Sequence, residues 1–498
     1  MKKQTSKTTV LLIILFSFIS INNTKAQAIW NNTTFVHRSN QQILDGQNNA
    51  IQLNGVNLGG WLMWEGWIWG GGFTAEKDIY NNMQTIVGST AANNFRDSVY
   101  KNFITRADIQ KIAQECFNVV RIPFNHNILE DDFNPYVYKQ SGWNLLDSVL
   151  QWCEDYNVYV VLDLHSAPGG QSTSFTADPD FIINLWNGTI NQTRTKRLWK
   201  AIANRYKDRG IVAAYDLLNE PNVTTDADML NMYHDIIDSV RSVDTHHMLS
   251  IEGNNYAQNF SMFTSLPDPN MNFQFHIYSW FYNNADSIAA HINYNTNISN
   301  SLNVPIWCGE WGENDYPHLD TTLTILNNPL YKVSGSSFWT WKKMKATLQY
   351  PYYNGIDTTH NWNTTIAWVS NTSLPTPSLA TMQSGINDFI HNIKQPNCIF
   401  NTSMSSILNA CVASGIKEET EQNNITIYPN PSNGRFLIST YIQQFKALKV
   451  INLLGEIVYQ SEINNSKFEV DLSGLDKGVY FVKMNTENKI IIKKILIK

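Results

Sequence analysis

The hydrophobic residues of this chain form short, nearly continuous apolar runs, each of which ends in polar or glycine-rich residues. Eight such runs lie at 51–57, 119–123, 158–165, 213–219, 248–252, 273–278, 304–310 and 335–341. Between most of them, apolar residues recur at spacings of three and four, which predicts helices at 143–156, 195–206 and 229–243. Thr105 and Asp108 form a capping-box pattern at the start of another helix. Apolar strands that alternate with helices predict a parallel sheet buried on both faces, and eight of them predict a closed α/β barrel, the (β/α)8 or TIM barrel.

Polar side chains fall at the carboxyl ends of these predicted strands. They are Arg121, His165, Asn219, Glu220, His276, Tyr278, Glu310 and Trp339. Barrels of this class build their active sites at that end, whereas independent structural roles would scatter polar residues over both ends. The pattern therefore predicts one shared site.

Two of these residues are glutamates in apolar surroundings, where a carboxyl group is costly to bury without a function or a partner. Glu220 follows Leu-Leu-Asn, and Glu310 lies in Cys-Gly-Glu-Trp-Gly. Paired carboxyls of this kind hydrolyse glycosidic bonds, since one protonates the departing oxygen while the other attacks the sugar or activates water. The sequence has no His-x-His or His-Glu-x-x-His spacing, so metal-dependent hydrolysis is disfavoured. We expect no metal and no cofactor.

The composition argues against a nucleic-acid-binding protein and is compatible with one that acts on carbohydrate. The chain has 498 residues, of which 43% are hydrophobic and 16% charged, with a formal net charge of −6. This length predicts one large and one small domain, and the low charge argues against a nucleic-acid partner. Aromatic residues make up 12% and include 16 tryptophans, whose flat rings suit the apolar faces of sugars as well as protein cores.

The order of polar and apolar segments predicts four regions. A basic start, an apolar run and small residues near position 28 predict a signal peptide over 1–28. Its apolar run is shorter than the about 20 residues that span a bilayer, and no later segment could span, so we expect no membrane span in the mature chain. The barrel domain is predicted over 29–397, a polar linker over 398–423, and a small all-β sandwich over 424–498.

The five cysteines are an odd number for an exported chain. Cys116, Cys153 and Cys308 lie in segments that are predicted to be buried, so we expect them to be thiols. Cys398 and Cys411 lie in a polar stretch, and a local bridge between them is left open.

Six motifs occur in the order and spacing of glycoside hydrolase family 5, which roughly residues 45–345 therefore resemble. The motifs are Arg121-Ile-Pro, Leu164-His165 with Ser-Ala-Pro-Gly-Gly, Asn219-Glu220-Pro221, His276-Ile-Tyr278, Gly309-Glu310-Trp311 and Phe338-Trp339-Thr-Trp341. Residues 54–61 and 165–171 are most similar to the branch that contains exo-β-1,3-glucanases. Ser166, Gly170 and the segment 342–344 depart from that branch, which leaves the substrate open.

The resemblance implies a (β/α)8 enzyme that hydrolyses β-glucan with retention, for which the two carboxyls must lie about 5–5.5 Å apart. Glu310 is then the nucleophile and Glu220 the acid/base. Substrate-binding or orienting roles are implied for Arg121, His165, Asn219, His276, Tyr278 and Trp339. Trp341 is expected to pack against helices. An endo-β-1,4-glucanase on the same barrel and a non-catalytic surface glycan-binding protein remain alternatives.

Other aromatic and acidic residues near the predicted strand ends carry weaker signals. Segment 61–69 contains four tryptophans and Glu65; some of these rings are expected to line sugar subsites, although core packing is favoured for each one alone. Glu65 could contact sugar hydroxyls. For Asp163, Asp216 and Glu252 we favour structural pairing.

The C-terminal region resembles the sorting domain of type IX secretion. The resemblance rests on Tyr428-Pro-Asn-Pro431, Gly434-Arg-Phe436, Gly455-Glu456, Leu475-Asp-Lys-Gly478-Val-Tyr480 and Lys493-Lys494. It implies a protein that is secreted or held at the cell surface and that has the type IX machinery as a partner. A carbohydrate-binding sandwich is the alternative, but the tail has no tryptophan to serve as a sugar platform.

Overall fold

The computed structural model describes most of the chain outside the predicted signal peptide. The described residues are 35–180, 184–345, 350–408, 425–440, 447–452, 457–462, 465, 467–485 and 490–498. Residues 1–410 and 411–498 form two compact units. In the part of the chain that is described, no helix has both the length and the apolar character needed to cross a membrane.

The first unit contains a closed barrel of eight parallel strands that are arranged around it in chain order. The strands are β1 Gly55–Asn57, β2 Val119–Asn125, β3 Tyr159–Ser166, β4 Val212–Asp216, β5 Met248–Glu252, β6 Met271–Tyr278, β7 Ile306–Gly312 and β8 Val333–Trp339. Strand β8 pairs with β1, and β1 pairs with β2, which closes the ring. The predicted (β/α)8 barrel is confirmed.

Helices surround the barrel and cover the outer faces of its strands. The longer ones are Glu76–Val87, Ser89–Asn102, Arg106–Gln114, Gln140–Tyr156, Thr189–Tyr206, Asp226–Arg241, Ala285–Leu302, Tyr316–Leu326, His360–Ser370 and Leu379–Asn392. The predicted capping box is present, since the backbone N–H of Thr105 donates to Asp108 Oδ2 at 2.9 Å. The three predicted helices also exist, but each begins several residues before its predicted start.

The amino-terminal end of the barrel is closed by a hairpin of the strands His37–Ser39 and Gln42–Leu44. Ile43 of this hairpin belongs to an apolar cluster that contains Val119, Val161 and Trp307 from the barrel strands. The described residues form no such plug at the carboxyl-terminal end, which is the end where barrels of this class build their sites.

Two barrel strands end earlier than predicted. Strand β4 ends at Asp216, so Asn219 and Glu220 lie in the turn that follows it. Strand β8 ends at Trp339, and the next residues form a separate strand, Lys342–Met344. The continuous apolar runs hid both boundaries, because a buried turn carries the same residue types as a buried strand.

Part of the predicted linker belongs to the first unit. Strand Ile399–Phe400 pairs with Asn354–Ile356, and helix Thr402–Leu408 buries Met404 in the main core. The rest of the predicted linker lies outside the described residues.

One cysteine differs from expectation, and the state of a second, which was left open, is defined by the structure. Cys398 is a free thiol, so the bridge to Cys411 that was left open is not formed; Cys411 itself lies outside the described residues. Cys116 is disulfide-bonded and not a packed thiol, because it lies in an exposed turn after helix Arg106–Gln114. Cys153 and Cys308 are buried thiols, as predicted.

The second unit consists of two antiparallel sheets. One contains the strands Ile425–Tyr428, Arg435–Thr440 and Lys467–Asp471, and the other contains Ala447–Ile451, Ile457–Glu462, Gly478–Asn485 and Ile490–Ile497. Phe436 and Val470 from the first sheet share one apolar core with Val450 and Val482 from the second. The predicted small sandwich is therefore confirmed.

Candidate active site

The eight residues predicted from the strand ends lie together at the carboxyl end of the barrel. Side-chain contacts join them into one network, in which Arg121 contacts Asn219 and Glu310, Tyr278 contacts Glu310, His276 contacts Glu220, and His165 contacts Asn219 and Trp339. This arrangement agrees with the prediction of one shared site.

The two glutamates of the network face each other. A carboxylate oxygen of Glu220 and one of Glu310 lie within 4.8 Å of each other. His276 Nδ1 lies 2.8 Å from Glu220 Oε1 and 3.6 Å from Glu310 Oε2. Retaining glycosidases hold their carboxyls about 5–5.5 Å apart and inverting ones about 6.5–9.5 Å apart, so this spacing fits direct attack on a sugar carbon.

The backbone at Glu220 adopts an unusual conformation. Its φ angle is 44°, in the left-handed region that residues other than glycine rarely occupy. The backbone N–H of Glu220 donates to Glu252 Oε2 at 2.6 Å. The buried Glu252 on β5 therefore fixes the turn that carries Glu220.

Glu310 lies in surroundings that favour its ionised form. Burial opposes ionisation, but the charges of His276 and Arg121, together with the Tyr278 hydroxyl, outweigh burial and lower the pKa of Glu310 to about 2. Tyr278 Oη donates to Glu310 Oε2 at 2.7 Å, and Arg121 donates to Glu310 Oε1. Glu310 is therefore an anion at neutral pH.

Glu220 has the opposite tendency. Burial raises its pKa, and the negative charges of Glu310 and Glu252 raise it further, against the hydrogen bond and charge of His276. The pKa values of these two neighbouring carboxyls are thus shifted in opposite directions, so one is an anion and the other a proton donor. Nucleophilic attack assisted by an acid needs one group of each kind.

The guanidinium of Arg121 is the centre of the site. It is fully buried and contacts Asp163 at 3.0 Å, Asp216 at 2.8 Å and Glu252 at 3.2 Å, besides Glu310. Burial raises the pKa values of Asp163 and Asp216, although the positive charge of Arg121 opposes the shift. The three acidic residues are therefore paired with Arg121, which is the structural role that the sequence favoured for them.

His165 and Trp339 form one wall of the cavity. Their rings stack at 5.4 Å between centroids with an 11° angle between planes. His165 Nδ1 lies 2.7 Å from Asp163 Oδ2, which orients the imidazole, and burial lowers the pKa of His165. The opposite ring nitrogen lies 3.4 Å from Asn219 Nδ2.

Above the two glutamates is a cavity of about 480 Å³. Its outer part is aromatic and includes Phe73, Trp280 and Phe281, each more than half exposed. Of the tryptophans in segment 61–69, Trp67 lines the cavity, whereas Trp61, Trp64 and Trp69 are buried in the core. Glu65 also lines the cavity.

Sequence analysis missed four polar residues around the site. Asn57 accepts from Arg121 at 3.2 Å, and the Gln274 amide donates to Asp216 at 2.8 Å. Glu313 lines the cavity, and the Lys343 ammonium lies 5.6 Å from the Trp67 ring centre. Asn57 and Glu313 were detectable by the strand-end rule, because each ends or follows a barrel strand. Gln274 and Lys343 carried no such signal.

Two groups of side chains have the spacing of a metal site. They are Asp163, His165 and Glu310, and Glu220, His276 and Glu310. In both groups the carboxylate of Glu310 already accepts hydrogen bonds from Arg121 and Tyr278. These donors suit a carboxylate that acts by itself, and the guanidinium beside it repels a cation.

The closed barrel and its paired carboxyls define the class of (β/α)8 glycoside hydrolases. Residues 77–346 match the family described as cellulase (glycosyl hydrolase family 5), and this chain belongs to glycoside hydrolase family 5. Residues 426–498 match the secretion system C-terminal sorting domain. Both families that the motifs resembled are confirmed.

Curated relatives of the chain differ in the activities that they are named for. A beta-xylosidase of Phanerodontia chrysosporium is 35% identical over 226 residues, which are 45% of this chain and 47% of the relative. Endoglucanase C of Acetivibrio thermocellus is 29% identical and covers 46% of this chain and 58% of the relative. Probable glucan 1,3-beta-glucosidase A of Neosartorya fischeri is 34% identical and covers 40% and 49%. The chain thus spans about half the length of the curated relatives that it matches.

Solved structures share the fold at low sequence identity. The crystal structure of AoRut has a TM-score of 0.50 at 20% identity and covers 61% of this chain and 92% of its own. That of an endogalactoceramidase has a TM-score of 0.51 at 14% identity and covers 88% and 100%. These likenesses concern the fold alone.

Proposed function

We propose that this chain is an exported retaining glycosidase that releases sugar units from the ends of β-1,3-glucan chains. The observation that carries the mechanism is the approach of Glu220 and Glu310 to within 4.8 Å, since this spacing leaves room for a sugar carbon but not for an intervening water as well.

In the first step, Glu310 attacks the anomeric carbon and Glu220 protonates the glycosidic oxygen. The bond from the anomeric carbon to a Glu310 oxygen forms as the bond to the leaving oxygen breaks. Glu310 can attack because its neighbours hold it ionised, and Glu220 holds a proton because burial and the adjacent anion raise its pKa.

In the second step, water replaces Glu310 at the anomeric carbon. The charge of Glu310 is lost in the ester, so one cause of the raised pKa of Glu220 is removed. The ionised Glu220 then takes a proton from the attacking water. The configuration is inverted twice and therefore retained.

The other predicted residues position these two groups or the sugar. Arg121 and Tyr278 orient the nucleophile through their hydrogen bonds. Asn219 is assigned to the sugar 2-hydroxyl, and Arg121 fixes its amide oxygen at 2.7 Å. His276 contacts Glu220, and Trp339 offers its face as a sugar platform beside His165.

Two variants and one control test this mechanism. Glu310→Ala should lose turnover, and external azide should restore cleavage and give a glycosyl azide of inverted configuration. Glu220→Ala should still release a good leaving group such as 2,4-dinitrophenolate, while natural substrates lose about 10²–10⁴-fold because protonation is missing. Asp320→Asn, an exposed carboxyl on helix Tyr316–Leu326, is the control. Equal losses on all leaving groups for Glu220→Ala would contradict the acid role.

The choice of β-1,3-glucan is supported by relatives named glucan 1,3-beta-glucosidase, which are 33–35% identical over their matched regions. An endo-β-1,4-glucanase is the second candidate, favoured by the relative named endoglucanase C. Laminarin compared with carboxymethylcellulose separates the two. Rapid release of glucose from laminarin with little change in chain length supports the first proposal, and rapid shortening of carboxymethylcellulose supports the second.

Export by type IX secretion is supported by the match of residues 426–498 to the sorting domain. Deletion of this segment in a host with that pathway should leave the enzyme in the periplasm, whereas the full chain should appear in the medium or on the surface. Equal export of both forms would contradict the proposal.

A further inference from the structure

The side of the cavity opposite Glu220 is bordered by polar and aromatic residues that the proposed mechanism does not use. Glu65, Trp67, Glu313 and Lys343, here called the distal cluster, come from segments that follow β1, β7 and β8. Those three strands are neighbours in the barrel, and β4, which precedes Glu220, lies across it. A sugar with its anomeric carbon between the two catalytic carboxyls would therefore extend its far side toward this cluster.

One carboxylate oxygen of Glu65 accepts no hydrogen bond. Trp67 Nε1 donates to Glu65 Oε2 at 2.6 Å. The other oxygen, Oε1, is buried, lies 3.9 Å from His165 Nε2 and has no hydrogen-bond partner among the described residues. Leaving a buried carboxylate oxygen without a hydrogen bond is costly. A ligand hydroxyl in the cavity would supply that hydrogen bond.

Glu313 adds a second carboxyl to the same wall. It is 7% exposed and lines the cavity. Within the described part of the chain, its carboxylate has no hydrogen bond, although its backbone oxygen accepts from Ser279 Oγ at 3.5 Å. Burial raises the pKa of Glu313 well above its usual range, the charge of Glu65 raises it further, and Lys343 opposes the shift.

Lys343 lies beside Trp67 and is the cation that acts on Glu313. Its ammonium lies 5.6 Å from the centre of the Trp67 ring, whose indole N–H is bonded to Glu65. Burial lowers the pKa of Lys343 to about 8, although the charge of Glu313 opposes this shift.

We propose that Glu65 and Glu313 bind the hydroxyls of a terminal sugar that lie across the ring from the scissile bond, those at C4 and C6. Each sugar hydroxyl both donates and accepts, and a carboxyl group accepts when it is ionised and also donates when it is protonated. Glu313 is thus a specificity-determining residue, and the inference rests on the proposed function.

The experiment compares glycosides that differ in one hydroxyl. The substrates are 4-nitrophenyl β-glucoside, its 4-deoxy and 6-deoxy analogues, and the β-xyloside, which lacks the C6 hydroxymethyl group. Glu313→Gln and Glu313→Ala should lower kcat/KM for the glucoside about tenfold or more. For at least one deoxy analogue, kcat/KM should change less than about threefold, because an analogue without the hydroxyl makes no hydrogen bond that the substitution could remove. The selectivity of these variants for the glucoside over that analogue should therefore fall. Asp320→Asn should change neither.

Uniform losses on all four substrates, or no loss on any, would overturn the inference. Wild-type enzyme that cuts glucans only internally and cleaves none of the monosaccharide glycosides would overturn it too, because O4 of an internal 1,4-linked unit is not free. Thermal melting checks that each variant is folded, and Glu313→Gln keeps the shape of the side chain. Failure of the proposed glycosidase activity itself has a different signature: no release of sugar by the wild type from any glycan or glycoside.

Discussion

Glu76 and Asp178 form a buried carboxyl pair whose ionisation should make the stability of the barrel depend on pH. The Glu76 oxygens accept hydrogen bonds from the backbone N–H of Trp64 at 3.1 Å and from Tyr100 Oη at 3.2 Å. Asn125 Nδ2 lies 2.9 Å from Asp178 and 3.5 Å from Glu76. Burial and, second, the charge of Asp178 raise the pKa of Glu76 from 4.5 to about 8.

The sign follows from proton binding. Between the unfolded pKa of 4.5 and the folded pKa of about 8, the folded state holds a proton that the unfolded state has lost. The free energy of unfolding therefore falls as pH rises through this window. One pKa unit corresponds to about 1.36 kcal/mol, so the shift sets an upper limit of about 5 kcal/mol on the loss.

Glu76→Gln replaces the titrating carboxyl by a neutral amide that can still accept from Trp64. At pH 5 the variant should match the wild type to about 1 kcal/mol, and at pH 9 it should be more stable by up to about 5 kcal/mol. Guanidinium unfolding at each pH, followed by tryptophan fluorescence, measures the difference. The signal reports on the first unit alone, because the region 424–498 has no tryptophan.

Asp97→Asn is the matched control, since its carboxyl is on the neighbouring helix Ser89–Asn102 and 75% exposed. Its unfolding free energy should differ from the wild type by a constant amount at all pH values. Parallel curves for the wild type and Glu76→Gln from pH 5 to pH 9 would refute the reasoning, because Glu76 would then be ionised in the folded barrel.

Two further predictions concern buried charges. Tyr278→Phe removes a hydrogen-bond donor that lowers the pKa of Glu310, so the acidic limb of the pH profile of kcat/KM should move to higher pH. The control is Tyr282→Phe, whose hydroxyl bonds to Gln258, and it should leave the pH profile unchanged. An equal shift in both variants would contradict the role of Tyr278 in holding Glu310 ionised. Lys342→Met removes the ammonium that lies 2.7 Å from the buried Asp108 and should cost about 3–5 kcal/mol in unfolding free energy. Adding Asp108→Asn should recover part of the loss, and thermal or chemical denaturation that finds no recovery would argue against an unpaired charge as its cause.

The barrel and the location of its site were predictable because the sequence repeats one pattern. The barrel strands are buried on both faces, and polar residues at or near the end of an apolar run mark the carboxyl end of a strand. Arg121, Asn219, His276 and Glu310 were found in this way, and their contacts form one network. Each strand end could be located from its own segment of the sequence. Because the barrel closes, the carboxyl ends of all its strands then lie close together.

Features that depend on contacts between distant segments could not be predicted. Gln274 lies inside an apolar run, and its partners Asp216 and Glu252 come from other strands. In the sequence, Lys343 is one of two adjacent lysines after a predicted strand, and nothing distinguishes it from Lys342. Its position beside the cavity depends on its contact with the ring of Trp67, which comes from a distant segment. The helix Thr402–Leu408 lies in the predicted linker, and its docking through Met404 and Leu408 depends on a distant core that the local sequence does not show.

The buried guanidinium of Arg121 ties the reaction to the architecture. The same group that orients Glu310 also neutralises acidic side chains on β3, β4 and β5, so a change to the nucleophile's support would disturb the barrel interior. Glu313 and the aromatic residues of the outer cavity, Phe73, Trp280 and Phe281, lie outside this network of buried charges, on segments that follow the barrel strands. Descendants of this chain could therefore acquire new sugar preferences through a few surface-loop replacements, while the bond-breaking step stays as it is.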